Sequence, residues 1–86
     1  SKRAVATRLL AFDGGVVKQL PDFEKIEKEN GVEIYHHLEL GQTVREYRTN
    51  LDGCGYIVAR ADDAETAAQK AEEVLKEIEK TIFAID

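Results

Sequence analysis

The chain has 86 residues, 43% hydrophobic and 34% charged, so it can bury one modest core and is expected to form a single domain over 1–86. Its 17 acidic residues against 12 basic ones give a formal net charge of -5. Nucleic acid and anionic membranes are therefore not expected partners, because both need clustered lysine and arginine. The single cysteine cannot form an internal disulfide, and no apolar run approaches the roughly 20 residues of a membrane span, which favours a cytoplasmic location.

The first third of the chain predicts a β-hairpin followed by a short helix. The apolar run RAVATRLLA (3–11) predicts a largely buried strand, and VVKQL (16–20) predicts its antiparallel partner. The FDGG segment between them holds two glycines that can take positive φ, as a tight turn requires. Pro21 suits a first helical turn and Gly31 a helix end, which together predict a helix over about 21–30.

The rest of the chain predicts two further strands and a long helix. Apolar and polar residues alternate in VEIYHHLEL (32–40), as in a half-buried strand, and GYIVARA (55–61) predicts another. Asp62 or Asp63 caps an amphipathic helix over about 63–82. The fold class is therefore α+β, a mostly antiparallel sheet with the short helix and the long C-terminal helix packed on one side.

Few residues carry chemistry that the sequence alone can assign. His36 and His37 are adjacent on a strand and point to opposite faces, so they cannot share a metal ion, and no metal site is expected. Cys54 lies close to Asp52, and a nearby carboxylate raises a thiol pKa, so we expect an inert cysteine. The DGG and DGCG segments are too short for nucleotide-binding motifs and are explained as turns.

The ordered set of short motifs is more specific than any one of them. It consists of ATR (6–8), GVV (15–17), GVEI (31–34), GQTV (41–44), GYIVA (55–59) and ETA (65–67). In this order, over nearly the full length, the chain resembles the C-terminal domain of ATP-grasp carboxylate–amine ligases. The resemblance is closest to L-amino-acid ligases and more distant to biotin carboxylase and glycinamide ribonucleotide synthetase. The arginine that often precedes the GY strand in such ligases is absent from LDGCGY.

The resemblance implies a role at the rim of an active site that other domains largely build. In such relatives, a first-strand arginine helps to hold an anionic substrate, and an aspartate borders the catalytic cleft; Arg8 and Asp52 match these positions. Gly53 and Gly55 follow Asp52 and would let the backbone approach. The resemblance thus implies substrate-binding roles for all four residues and no catalytic residue in the isolated chain.

The resemblance also implies a larger parent enzyme. Residues 1–86 would be the excised C-terminal domain of a longer ATP-grasp ligase, inactive alone and holding no cofactor. ATP and Mg²⁺ would bind to upstream domains of the same polypeptide, which would join a small-molecule carboxylate to an amine. About three hundred further codons upstream are expected, since each additional domain takes about 100–200 residues.

Two alternatives stay open at this point. Arg8 can be a strand arginine that pairs with a local glutamate. From VVKQL onward, the element order also matches an ACT-like, ferredoxin-like regulatory domain that binds small molecules. That fold has no place for RAVATRLLA, so a hairpin between this strand and VVKQL would favour the ligase.

Overall fold

A computed structural model describes residues 4–49 and 53–84, which form seven elements in the order β-β-α-β-β-β-α. The strands and helices are β1 (Ala4–Leu9), β2 (Gly15–Val16), α1 (Phe23–Asn30), β3 (Val32–His36), β4 (Thr43–Val44), β5 (Gly55–Ala61) and α2 (Ala64–Ile82). The predicted α+β class is confirmed. Neither described helix is long and apolar enough to cross a membrane.

The main sheet has three antiparallel strands in the order β1-β5-β3. Its central strand, β5, has the bounds that the GYIVARA pattern predicts. Ile57 is fully buried there and lies opposite Arg8 of β1 on one side and Ile34 of β3 on the other. Because β5 pairs on both edges, it joins β1 and β3 into one sheet.

The predicted hairpin between the first two strands is wrong. β2 pairs with β4 in a separate two-stranded sheet, whereas β1 pairs with β5. Gly14 and Gly15 do adopt positive φ, of 112° and 151°, but the chain has already left the main sheet at that point. This second sheet allows Val17 and Val44 to be buried, at 1% and 4% exposure. The partner of β2 is thus chosen by burial and not by the adjacent turn.

The observed pairing also argues against the ferredoxin-like alternative. That arrangement needs VVKQL as a strand of the main sheet and leaves RAVATRLLA outside it. In this structure VVKQL contributes only to the small sheet. β1, which lies within RAVATRLLA, is an integral strand of the main sheet.

Side-chain and glycine caps fix the ends of the helices. Asp22 accepts a hydrogen bond from the backbone N–H of Lys25 at 3.1 Å, so α1 begins two residues later than the predicted start. Gly31 ends α1 with a left-handed φ of 64°, as its position in the sequence predicts. At α2 the cap is Asp63, which accepts from the backbone N–H of Thr66 at 2.7 Å.

The Asp63 cap makes a testable, pH-dependent contribution. Hydrogen bonds from the backbone N–H and then the hydroxyl of Thr66 lower the pKa of Asp63. A lowered folded-state pKa means that the cap stabilises fully above the unfolded value of about 3.9, and that this contribution is lost as pH falls through the folded value. Asp63→Ala should therefore lower the melting temperature at neutral pH, as measured by circular dichroism.

Asp63→Asn separates the cap from its charge. Asparagine is also a good N-cap but does not titrate, so this variant should keep most of the stability at neutral pH. Its melting temperature should fall less steeply on acidification than that of the wild type. Identical acid profiles for the two proteins would contradict the assignment.

The long helix α2 buries its apolar stripe on β1 and β5. The fully or nearly fully buried members of this stripe are Ala67, Ala71, Val74, Ile78 and Ile82. The small residues come first, which allows close approach of the helix to the sheet. The apolar spacing of the sequence predicts Val74, Leu75 and Ile78 as core residues of this helix. Leu75 is the exception, because it is only half-buried and packs against the core.

The opposite face of the main sheet is open. Four of its large side chains, Val5, Leu9, Tyr35 and Tyr56, are 55%, 48%, 46% and 41% exposed. The two tyrosine rings stack with centroids 4.9 Å apart. We call this surface, defined by these four residues, the open sheet face.

Candidate functional site

Arg8 lies near the end of β1 and contacts α2. Its Nε atom is 3.6 Å from Oε2 of Glu72, and a terminal nitrogen donates to the Thr7 carbonyl at 3.0 Å. The side chains of the ion pair are 40% and 45% exposed, so the pair contributes no more than about 1 kcal/mol. Arg8 thus makes the ion pair with a nearby glutamate that one of its two interpretations predicts. The low strength of this pair means that a bound carboxylate could replace Glu72 at small cost.

Gly53, Cys54 and Gly55, which we call the glycine-flanked loop, reach the same end of the sheet. The backbone N–H of Leu10 donates to the Gly55 carbonyl at 2.8 Å, and the N–H of Cys54 donates to the Leu10 carbonyl at 3.0 Å. Gly53 and Gly55 therefore lie beside the end of β1, two residues beyond Arg8. Asp52, the fourth predicted site residue, lies outside the described residues.

Gly55 has a clear structural role in this loop. Its φ is 132°, and a Cβ atom built on it would lie 1.9 Å from the Tyr35 carbonyl oxygen. No side chain fits in that space. The glycine therefore allows β3 to approach the first residues of β5, at the end of the sheet where β1 also ends.

The cysteine and the first histidine are explained by packing. Cys54 is 3% exposed, and burial raises the pKa of its thiol, which disfavours the reactive thiolate. The His36 ring stacks on Phe23 at 3.8 Å, and its Nδ1 atom accepts from the N–H of Leu38 at 3.0 Å. Burial, followed by the nearby His37, lowers the pKa of His36. Within residues 4–49 and 53–84, no group of three His, Cys, Asp or Glu side chains is placed to hold a metal ion.

A pocket of about 140 Å³ lies directly beside the glycine-flanked loop. It is lined by His37, Gln42, Thr43, Val44, Arg45, Gly53 and Cys54. The motifs of the sequence do not indicate it. The lining residues come from three separate segments, so no local pattern could have indicated the site.

The open sheet face carries its own polar network. The Tyr35 hydroxyl donates to Oε2 of Glu33 at 2.6 Å, and Arg60 pairs with the other carboxylate oxygen. The tyrosine hydrogen bond and then Arg60 lower the pKa of Glu33, and the same hydrogen bond raises the pKa of Tyr35. These groups satisfy one another, so this part of the face presents stacked rings and a neutralised ion pair.

Comparison with known proteins gives one match. The family described as L-amino acid ligase C-terminal domain 2 matches residues 8–82, which include both described helices and all described strands except the first four residues of β1. Comparisons with curated proteins and with solved structures found no match. The match covers most of the chain and agrees with the resemblance carried by the ordered motifs. The chain belongs to the L-amino acid ligase C-terminal domain 2 family and is thus a domain of the ATP-grasp ligase type.

Proposed function

We propose that this chain completes the rim of the active site of an ATP-dependent carboxylate–amine ligase and does not catalyse the reaction alone. The observation that carries the proposal is the family match over residues 8–82. In such a reaction, the carboxylate attacks the γ-phosphorus of ATP and releases ADP. The amine then attacks the acyl phosphate, which forms the amide and releases phosphate and a proton.

The proposed catalytic machinery lies in other domains of the same polypeptide. Lobes that enclose ATP and Mg²⁺ each need a core of their own, and residues 4–49 and 53–84 of this chain build one core only. ATP and Mg²⁺ would accordingly bind upstream and not to this domain. A cytoplasmic location fits this proposal, since ATP and reduced thiols are both available there.

The open sheet face supports the presence of neighbouring domains. Four large side chains exposed together on one sheet face are typical of a surface that another protein segment covers. Arg8 lies on the side of α2, away from this face. We therefore assign the contact with the active site to the end of the sheet, where β1 ends and β5 begins. Arg8, Gly53 and Gly55 all lie at this end, and Asp52 immediately precedes it in the sequence.

The whole open reading frame provides the direct test. Its product should release phosphate from ATP only when suitable amino acids are supplied together, and deletion of residues 8–82 should abolish that release. The 86-residue chain by itself should show no ATP hydrolysis and no saturable binding of ATP at micromolar concentration. A reading frame without any ATP-binding domain would contradict the proposal.

Arg8 is the substrate-binding residue that a pair of variants can test. In the intact ligase, Arg8→Ala should reduce turnover about tenfold or more, because a lost charged hydrogen bond costs about 1.5–3 kcal/mol. Glu72→Gln removes the ion-pair partner and leaves the guanidinium, so it should preserve turnover. The free energy of unfolding should change by less than about 1 kcal/mol in both variants, as for an exposed ion pair.

Steady-state kinetics and urea unfolding of both variants check this prediction. Equal effects of the two substitutions on turnover would mean that Arg8 acts only through Glu72. A strongly destabilised Arg8→Ala protein would make the arginine structural.

A further inference from the structure

We propose that the pocket beside the glycine-flanked loop binds an oxyanion through Arg45 and His37. The ligand is the carboxylate of an amino-acid substrate or a phosphate group, and this choice of ligand rests on the proposed ligase function. Arg45 would then be the arginine that this domain offers to the active site from the loop side, in addition to Arg8 from the strand side.

The charge distribution favours an anion. Two basic residues, His37 and Arg45, line the pocket, and both can donate hydrogen bonds from N–H groups. None of the described lining residues is acidic. This local composition runs against the net charge of -5 for the chain. A carboxylate or phosphate would therefore meet donors here without a repelling carboxylate among the described lining groups.

Arg45 differs from the other arginines of the described chain. Three of them are held by glutamates, in the pairs Arg8–Glu72, Arg48–Glu46 and Arg60–Glu33. Among residues 4–49 and 53–84, Arg45 has no such ion-pair partner, although it is followed directly by Glu46. Its guanidinium, which presents planar paired donors suited to carboxylate and phosphate, is thus available to a ligand.

The pocket walls are held by the fold and not by the ligand. The backbone N–H of His37 donates to the Cys54 carbonyl at 3.2 Å, which ties the end of β3 to the loop before β5. Val44, directly before Arg45, is 4% exposed and pairs with Gly15 of β2. Both donor residues therefore extend from anchored backbone, so little backbone entropy is lost when an anion binds.

The pocket has room for a small group. Its volume is about 140 Å³. A carboxylate or a single phosphate fits this space. The pocket is therefore suited to the reacting end of a substrate or to the phosphate that the reaction releases.

Nuclear magnetic resonance titration of the 86-residue chain tests the proposal. Inorganic phosphate and, separately, acetate are added at constant ionic strength, and the backbone amide signals of Arg45, Gly53 and Cys54 are followed. Saturable shifts at these positions are expected. A response to phosphate alone identifies a phosphate site, a response to acetate alone a carboxylate site, and a response to both a shared oxyanion site.

Two charge-matched variants make the test specific. Arg45→Gln should weaken binding about tenfold or more, since it removes a charged hydrogen bond. Arg48→Gln removes the same charge from the same segment, outside the pocket, and should leave the affinity unchanged. The amide spectra of both variants away from the pocket should match that of the wild type.

Absence of saturable shifts, or equal weakening by the two substitutions, would overturn the proposal. These results are distinguishable from failure of the proposed function. A ligase that requires residues 8–82 while the chain binds no anion would overturn the pocket alone. Anion binding by a chain whose reading frame has no ligase activity would overturn the proposed function alone.

Discussion

Replacing Gly55 with alanine is expected to destabilise the fold more than any other glycine substitution at a described position. The new Cβ atom would lie 1.9 Å from the carbonyl oxygen of Tyr35, and a φ of 132° is strained for any residue with a side chain. Backbone strain of about 1–3 kcal/mol adds to about 1–3 kcal/mol for forced displacement of neighbours. The sum of about 2–6 kcal/mol is a large share of a stability of about 5–15 kcal/mol.

Gly41→Ala is the matched control for this prediction. Gly41 also has a positive φ, of 81°, but an added Cβ atom meets nothing within 4 Å. Only the conformational cost of about 1–2 kcal/mol should be seen. Urea unfolding of both variants gives the comparison. Similar losses at the two positions would mean that β3 does not approach β5 at Gly55 as closely as the structure has it.

Ile78→Ala is the second substitution for which we expect a large effect. Ile78 is fully buried, in the stripe by which α2 packs on the main sheet. Truncation of a buried isoleucine to alanine costs about 2–5 kcal/mol, because apolar contacts are lost and a cavity remains. The free energy of unfolding, measured in urea at neutral pH, should fall by an amount in this range.

Leu75→Ala provides the comparison on the same helix. Leu75 is half-buried and contacts the core only from its edge, so solvent can occupy part of the space that truncation leaves. Its loss should be clearly smaller than that of Ile78→Ala. A larger loss at Leu75 would show that α2 is rotated about its axis relative to this structure.

The sequence by itself determined the local elements. The bounds of β5, the left-handed glycine that ends α1 and an aspartate cap of α2 at Asp62 or Asp63 all follow from residues within a few positions of each other. Periodicity and capping are short-range effects, so they are present in the sequence before any tertiary contact forms. The motifs of the ligase family, which also indicated Arg8 and the glycine-flanked loop, are short-range patterns of the same kind.

Only the tertiary structure decided which strands pair and which side chains meet. The backbone groups of β1 can bond to any suitable strand edge, and a glycine turn next to β1 favoured the wrong one. The pairing of β1 with β5, and of β2 with β4, is selected because it buries Leu10, Phe12 and Val17 near the end of α2. The Arg8–Glu72 contact and the pocket at Arg45 follow from that choice. Both join residues distant in the chain, and burial of apolar surface, which acts over the whole molecule, brings them together.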